Sequence, residues 1–145
     1  VPIQSLRRGQ VFKGVSALTD PEYWKNDEDM ERYRDLNYKQ AKRGVIIQRV
    51  FLFEDKQDCN AMMEVMQEQA DKGIKVWYCY QKDISHIANS PDFSVMTDLG
   101  FAITVEKREK LHGVSLSRSR TAINRLDSQF SQITERATEV TSNAK

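Results

Sequence analysis

Residues 45–53 read VIIQRVFLF, with β-branched or aromatic side chains on both parities and only Gln48 and Arg49 interrupting them. A strand with one wet face would alternate; a strand covered on both faces, as in the centre of a parallel sheet, would not. Residues 58–72 follow with Cys59, Met62, Met63, Met66 and Ala70 on one helical stripe and Gly73 as a stop. Residues 74–80 (IKVWYCY) are the next strand. Strand, helix and strand with short connections predict a right-handed βαβ unit, its two strands parallel and adjacent. The methionine stripe is assigned to the core, the alternative being a pliable partner-facing surface.

The rest of the chain is arranged around this unit. Residues 11–18 (VFKGVSAL) read as a strand, and 19–29, with Pro21, as a loop holding Tyr23 and Trp24 against the domain. Asn26, Asp27, Glu28 and Asp29 suit a helix N-terminus; Met30, Tyr33, Asn37 and Ala41 then recur at helical spacing until Lys42, Arg43 and Gly44 end the helix. Residues 93–95 and 101–105 flank Asp98, Leu99 and Gly100 as an antiparallel hairpin, and 113–116 form a further short strand. Ile123, Leu126, Phe130, Ile133, Ala137 and Val140 repeat at alternating spacings of 3 and 4, predicting an amphipathic helix that docks on the sheet or pairs with another copy. The expected fold is α/β: a mixed sheet with a parallel βαβ core, an added antiparallel hairpin and a long C-terminal amphipathic helix. One domain over 1–145 is expected, ordered from about 10 to 140. The start at Val1 fits a fragment or processed form of a longer protein.

With 39% hydrophobic and 30% charged residues, the chain can build a core and is no disordered tail. Lys and Arg number 22 against 21 Asp and Glu, a net charge of +1 that lacks the basic field of a typical nucleic-acid binder, so nucleic acid is not an expected partner. The two cysteines, Cys59 and Cys79, lie in apolar segments and read as buried thiols. Cys59 on a buried stripe makes a poor nucleophile. His86 and His112 lack metal-ligand spacing and the glycines are isolated, so no cofactor is expected. No apolar run approaches the ~20 residues of a membrane span and no secretory segment opens the chain, which predicts a cytoplasmic protein without a membrane partner.

In open α/β sheets ligands bind beyond the carboxyl ends of the strands. Those ends are Ser16, Glu54 with Asp55, and Gln81 with Lys82, followed by the polar loop 81–91 that carries His86, Asn89 and Ser90. There Lys82 would hold an anionic group and Glu54 or Asp55 a hydroxyl or amine; Asp98 completes the candidate ligand set. Arg49 needs a partner if buried, or else snorkels at an edge. In the run 115–121, the hydroxyls with Arg118 and Arg120 would suit an anion, or would simply cap the last helix.

Arg43, Gly44, Val45, Ile46 and Ile47, then Gly73, Ile74, Lys75 and Val76, then Asp98 followed by Gly100, together resemble a half-domain of the phospholipase D-like superfamily over about residues 10 to 138. That resemblance implies a parallel βαβ core and a hairpin bearing His-x-Lys-x4-Asp. Counting back from Asp98, the histidine position holds Pro91 and the lysine position Phe93, which can neither attack nor bind phosphate. The implied protein is a non-catalytic regulatory domain that senses a small molecule or docks a protein; the heptad-like spacing of the last helix, independently, suits self-association as a homodimer. One alternative is a hydrolase or phosphodiesterase-type enzyme with an atypical site near Glu54, Asp55, Lys82 and Asp98. Another is a nucleic-acid-binding module using Arg118, Arg120 and Arg125, against which stand the neutral total charge and the nearby Asp127 and Glu135.

Overall fold

In the computed structural model, which describes residues 2–17, 19–108 and 111–143, the two-faced strand takes the central place. β1 (Val11–Ser16), β2 (Ile46–Phe53) and β3 (Lys75–Tyr80) run parallel with β2 in the middle. Ile47, Phe51 and Phe53 pack into one apolar layer and Val50 and Leu52 into the other. The first layer lies under α1 (Pro21–Asn26), α2 (Glu28–Lys42) and α3 (Lys56–Asp71), through Trp24, Met30, Met62 and Met66. The second lies under the short α4 (Gln81–Ile84) and α5 (Arg120–Glu135), through Ile84, Ile123, Leu126, Phe130 and Ile133. A strand that buries both rows of side chains needs a layer on each side, and the chain supplies both.

Four antiparallel strands extend this core. β4 (Phe93–Met96) pairs with β1, β5 (Phe101–Arg108) with β4, and β6 (Leu111–Ser117) with β5. β7 (Thr138–Val140) pairs with β3 at the other side, giving the order β6-β5-β4-β1-β2-β3-β7. Gly100 turns the β4–β5 hairpin at φ +63°, a left-handed conformation that glycine adopts without a Cβ penalty. The fold is thus the α/β class expected, with the βαβ unit, the added hairpin and a C-terminal helix in place.

Several expectations need correction. The presumed loop 19–29 contains α1: Asp20 caps it by accepting from Glu22 N at 3.0 Å, and Pro21 occupies its first turn, where a missing N–H costs nothing. Trp24 is buried on Phe51 with ring centroids 5.1 Å apart, while Tyr23 is exposed. On α3 the buried stripe runs through Val65 and Gln69 rather than Met63, which is half-buried. The last helix ends at Glu135; Ala137 and Val140 continue its apolar spacing only by coincidence, because β-branched Thr138 and Val140 form β7. The apolar stripe of α5 packs on its own sheet, the first of the two arrangements expected for it. Leu18, assigned to the first strand, lies outside the described residues.

Met62 and Met66 are fully buried in the layer between α3 and the sheet. Met66→Ala is expected to lower stability by about 2–5 kcal/mol and Met63→Ala by clearly less, measured as the shift of the urea midpoint at unchanged slope. Equal effects would mean that the stripe is not seated as described.

Candidate functional site

Arg49 is the one buried charge of the central strand, 3% exposed. Its row faces the helical layer of α2 and α3, which answer it with neutral oxygens: Nη1 donates to Gln69 Oε1 at 3.0 Å, and Nη2 to Tyr33 Oη at 3.0 Å and Asn37 Oδ1 at 2.9 Å. The rings of Phe12, Trp24 and Tyr33 surround the guanidinium with centroids 5.4–5.7 Å away. Ring faces carry negative electrostatic potential, so this cage stabilises a cation. Gln69 turns its oxygen to the charge and leaves Nε2 without an acceptor. The spacing of Tyr33 and Asn37 on α2 was legible in the sequence, but that they converge on Arg49 was not, because only the tertiary fold brings the helix over β2.

Beside this cage lies a cavity of about 190 Å³ whose lining includes Arg49, Asp92, Tyr33, Trp24, Gly14, Ser16 and Ser94. Gly14 keeps the β1 wall open: a Cβ there would come within 3.0 Å of Phe12 Cε1.

Of the residues proposed for the carboxyl edge, Ser16 ends β1 and lines this cavity. Glu54 and Asp55 are exposed after β2, where Asp55 caps α3 by accepting from Asp58 N at 2.9 Å. Gln81 closes the following loop on itself, its Nε2 donating to Ala88 O at 2.8 Å and its Oε1 accepting from Ser90 N at 2.7 Å. Lys82 lies over the Tyr80 ring at 5.8 Å. Asp98 does not join them. Its Oδ2 accepts from Val11 N at 3.0 Å, tying the hairpin to the start of β1 at the opposite end of the parallel strands.

At α5, Ser119 caps the helix by accepting from Ala122 N at 3.4 Å, and Ser117 Oγ accepts from Ser119 N at 3.1 Å. Arg118 rests on the Phe101 ring at 5.7 Å, and Arg118, Arg120 and Arg125 are all exposed. Arg125 and Gln129 line an open groove with Asn89, Ser90, Asp92 and Thr104, between α5 and the 81–92 loop. Lys13 pairs with Asp127 at 2.7 Å, so one of the acidic neighbours weighed against this surface is already neutralised.

Both thiols are free and buried. Burial, reinforced by Asp83, pushes the Cys79 thiol up to about 12; burial also raises Cys59, partly offset by a hydrogen bond with Tyr80. Neither is poised as a thiolate nucleophile. Among the described residues no group of three His, Cys, Asp or Glu side chains could hold a metal ion, and no helix is long and apolar enough to cross a membrane.

No protein-family model matches the chain, and no curated protein matches it in sequence. Its fold is similar to that of TrmBL2, described as an archaeal chromatin protein with a novel mode of DNA binding: TM-score 0.60 and 9% identity, over 95% of this chain and 47% of that one. The chain therefore spans about half the length of that structure. These findings overturn the resemblance to the phospholipase D-like superfamily, and with it the reading as a dead phospholipase D-like regulatory domain. The short glycine-led strand openings behind it recur wherever a helix stops before a buried parallel strand. The exclusion of nucleic acid falls too, since a fold shared with a DNA-binding protein outweighs an argument from summed charge.

The thiols yield a pH expectation. The unfolded chain loses the Cys79 proton around the ordinary value of 9.0, and the folded chain keeps it to about 12. Within that window the unfolded state binds fewer protons, so stability is full below pH 9 and falls as pH rises toward 12. Tyr38, raised by burial and by Glu68, acts in the same direction. Urea midpoints at pH 8 and 10.5 should differ accordingly, and Cys79→Val should flatten the difference. At pH 8 iodoacetamide should label both cysteines only in urea.

Proposed function

We propose that this chain is a non-enzymatic domain of a DNA-associated protein that contacts the phosphate backbone through the start of α5 and the strands beside it. The observation that carries the reading is the fold similarity to TrmBL2, which extends over 95% of this chain. The distribution of charge agrees with it. Residues 106–125 hold six Lys or Arg and two Glu, so the rest of the chain is net acidic although the total is +1. Arg118 and Arg120 flank a serine-capped helix start, and Arg125 stands one further turn along. Guanidinium groups and a helix N-terminus both suit phosphate oxygens. Asn89, Ser90 and Gln129 in the adjoining groove add neutral donors. Such contacts position a duplex without reading its sequence. The cytoplasmic location read from the sequence becomes, on this proposal, the compartment that holds the DNA.

Fluorescence anisotropy with a labelled duplex of random sequence tests this directly. Binding is expected at low salt, with log K falling linearly in log salt. Each of Arg118→Gln, Arg120→Gln and Arg125→Gln should lower the slope by up to ~0.9 with little dependence on sequence. A chain that binds no duplex at low salt, or whose triple variant binds with an unchanged slope, would overturn the proposal.

A further inference from the structure

We infer that the outer edge of β6 is an interface at which a second copy of this chain adds its own β6, antiparallel, about a two-fold axis at Ser115. β6 ends the sheet on one side, and among the described residues no strand pairs with its outer edge. An edge strand carries a row of backbone N–H and C=O groups ready to pair, and proteins ordinarily blunt it by shortness, charge or proline. The opposite edge is treated in that way: β7 has three residues, with exposed Glu139 in the middle. β6 runs for seven residues, Leu111–Ser117, and holds no Lys, Arg, Asp, Glu or Pro.

The side chains of the strand fit the same occupant. Val114 and Leu116 are 65% and 62% exposed and stand directly opposite Val105 and Ile103 on β5. Opposed residues of an antiparallel pair share a face, so the four make one apolar patch that runs to the open edge. Ile103 packs against the layer under α1, α2 and α3, while Val114 and Leu116 lie beyond its cover. Arg118 turns back over the Phe101 ring on β5, away from the edge. A two-fold axis at Ser115 sets Val114 of each copy against Leu116 of the other, and Gly113 against Ser117. Apolar then meets apolar, small meets small, and no like charges face one another. Moving the axis to Val114 would set Leu116 against His112, and moving it to Leu116 would set Val114 against Arg118. A charged peptide would find nothing on this strand to pair with, whereas a second copy covers both patches at once in an isologous contact that closes as a dimer.

The pairing does not depend on the DNA contact, and sedimentation equilibrium of the 145-residue chain without DNA tests it. A monomer–dimer equilibrium is expected, the average mass approaching twice that of the chain as concentration rises. The double variant Val114→Lys, Leu116→Lys brings like charges together at the junction and should hold the mass at that of the monomer. Both side chains are exposed, so its urea midpoint should equal that of the wild-type chain at high dilution. Ser115→Cys sets two new thiols opposite each other, with Cβ atoms about 5 Å apart, and should give a disulfide-linked dimer under mild oxidation. Cys59 and Cys79 are buried and stay out of that reaction. Ser117→Cys sets the two thiols four residues of strand apart, about 13 Å, and should yield no crosslink. A chain that stays monomeric at millimolar concentration, leaving the edge to a strand of another protein or to none, would overturn the inference. So would a dimer that the lysine variant retains, assembly past the dimer, or equal crosslinking of the two cysteine variants.

Discussion

A full positive charge sits within the strand that the fold covers most completely, and much of the helical layer is organised by that fact. Leaving Arg49 unanswered would cost several kcal/mol, and removing it from water is tolerable only if its surroundings supply negative potential from fixed directions. α2 supplies Tyr33 and Asn37, α3 supplies Gln69, and β1 and α1 add the rings of Phe12 and Trp24. Apolar packing alone is non-directional and would let these helices slide over the sheet. Hydrogen bonds of 2.9–3.0 Å to one guanidinium set the register of both helices against β2. The orphaned amide nitrogen of Gln69 indicates which demand prevailed when they conflicted.

What could be read in advance follows the range of each interaction. The βαβ unit was legible because strand burial, helical stripe and glycine stop are local patterns that agree with one another. α1 was missed although Asp20 and Pro21 are a recognisable start, since six residues give too little periodicity to outweigh a proline read as a break. β7 was hidden by Val140, whose spacing continued the α5 stripe; only its pairing with Val76 decides otherwise. At the candidate sites, the carboxyl-edge rule gathered Ser16, Glu54, Asp55, Gln81 and Lys82 from strand ends alone. It could not reveal that Asp98 lies at the opposite end, because hairpin length and register set that position. Arg49 was marked as needing a partner, but its partners are separated from it by 12–20 residues and are visible only in the fold.

Charge offers a related lesson. A total near zero says little about the field felt by a ligand a few ångströms from the surface, because exposed charges more than about 10 Å apart are screened from one another at ordinary ionic strength. Arg118, Arg120 and Arg125 stand exposed around the start of α5, while acidic residues elsewhere, such as the first turn of α2 with Glu28, Asp29 and Glu31, act on their own surroundings. Lys13 with Asp127 removes a further negative charge from the α5 side.

β7 gives the fold an order of assembly. Val76 on β3 pairs with Val140, more than sixty residues later in the chain. Until that segment is synthesised, one side of β3 presents unpaired backbone N–H and C=O groups, a template on which another chain could add a strand. Closing so long a loop carries an entropic cost that local pairing does not, so the step should follow formation of the parallel core and the seating of α5. α5 lies immediately before β7 and docks on the face of the same sheet, shortening the search by delivering the strand to its neighbour. Three residues near the end of the described chain thus cover the last open edge of the parallel strands.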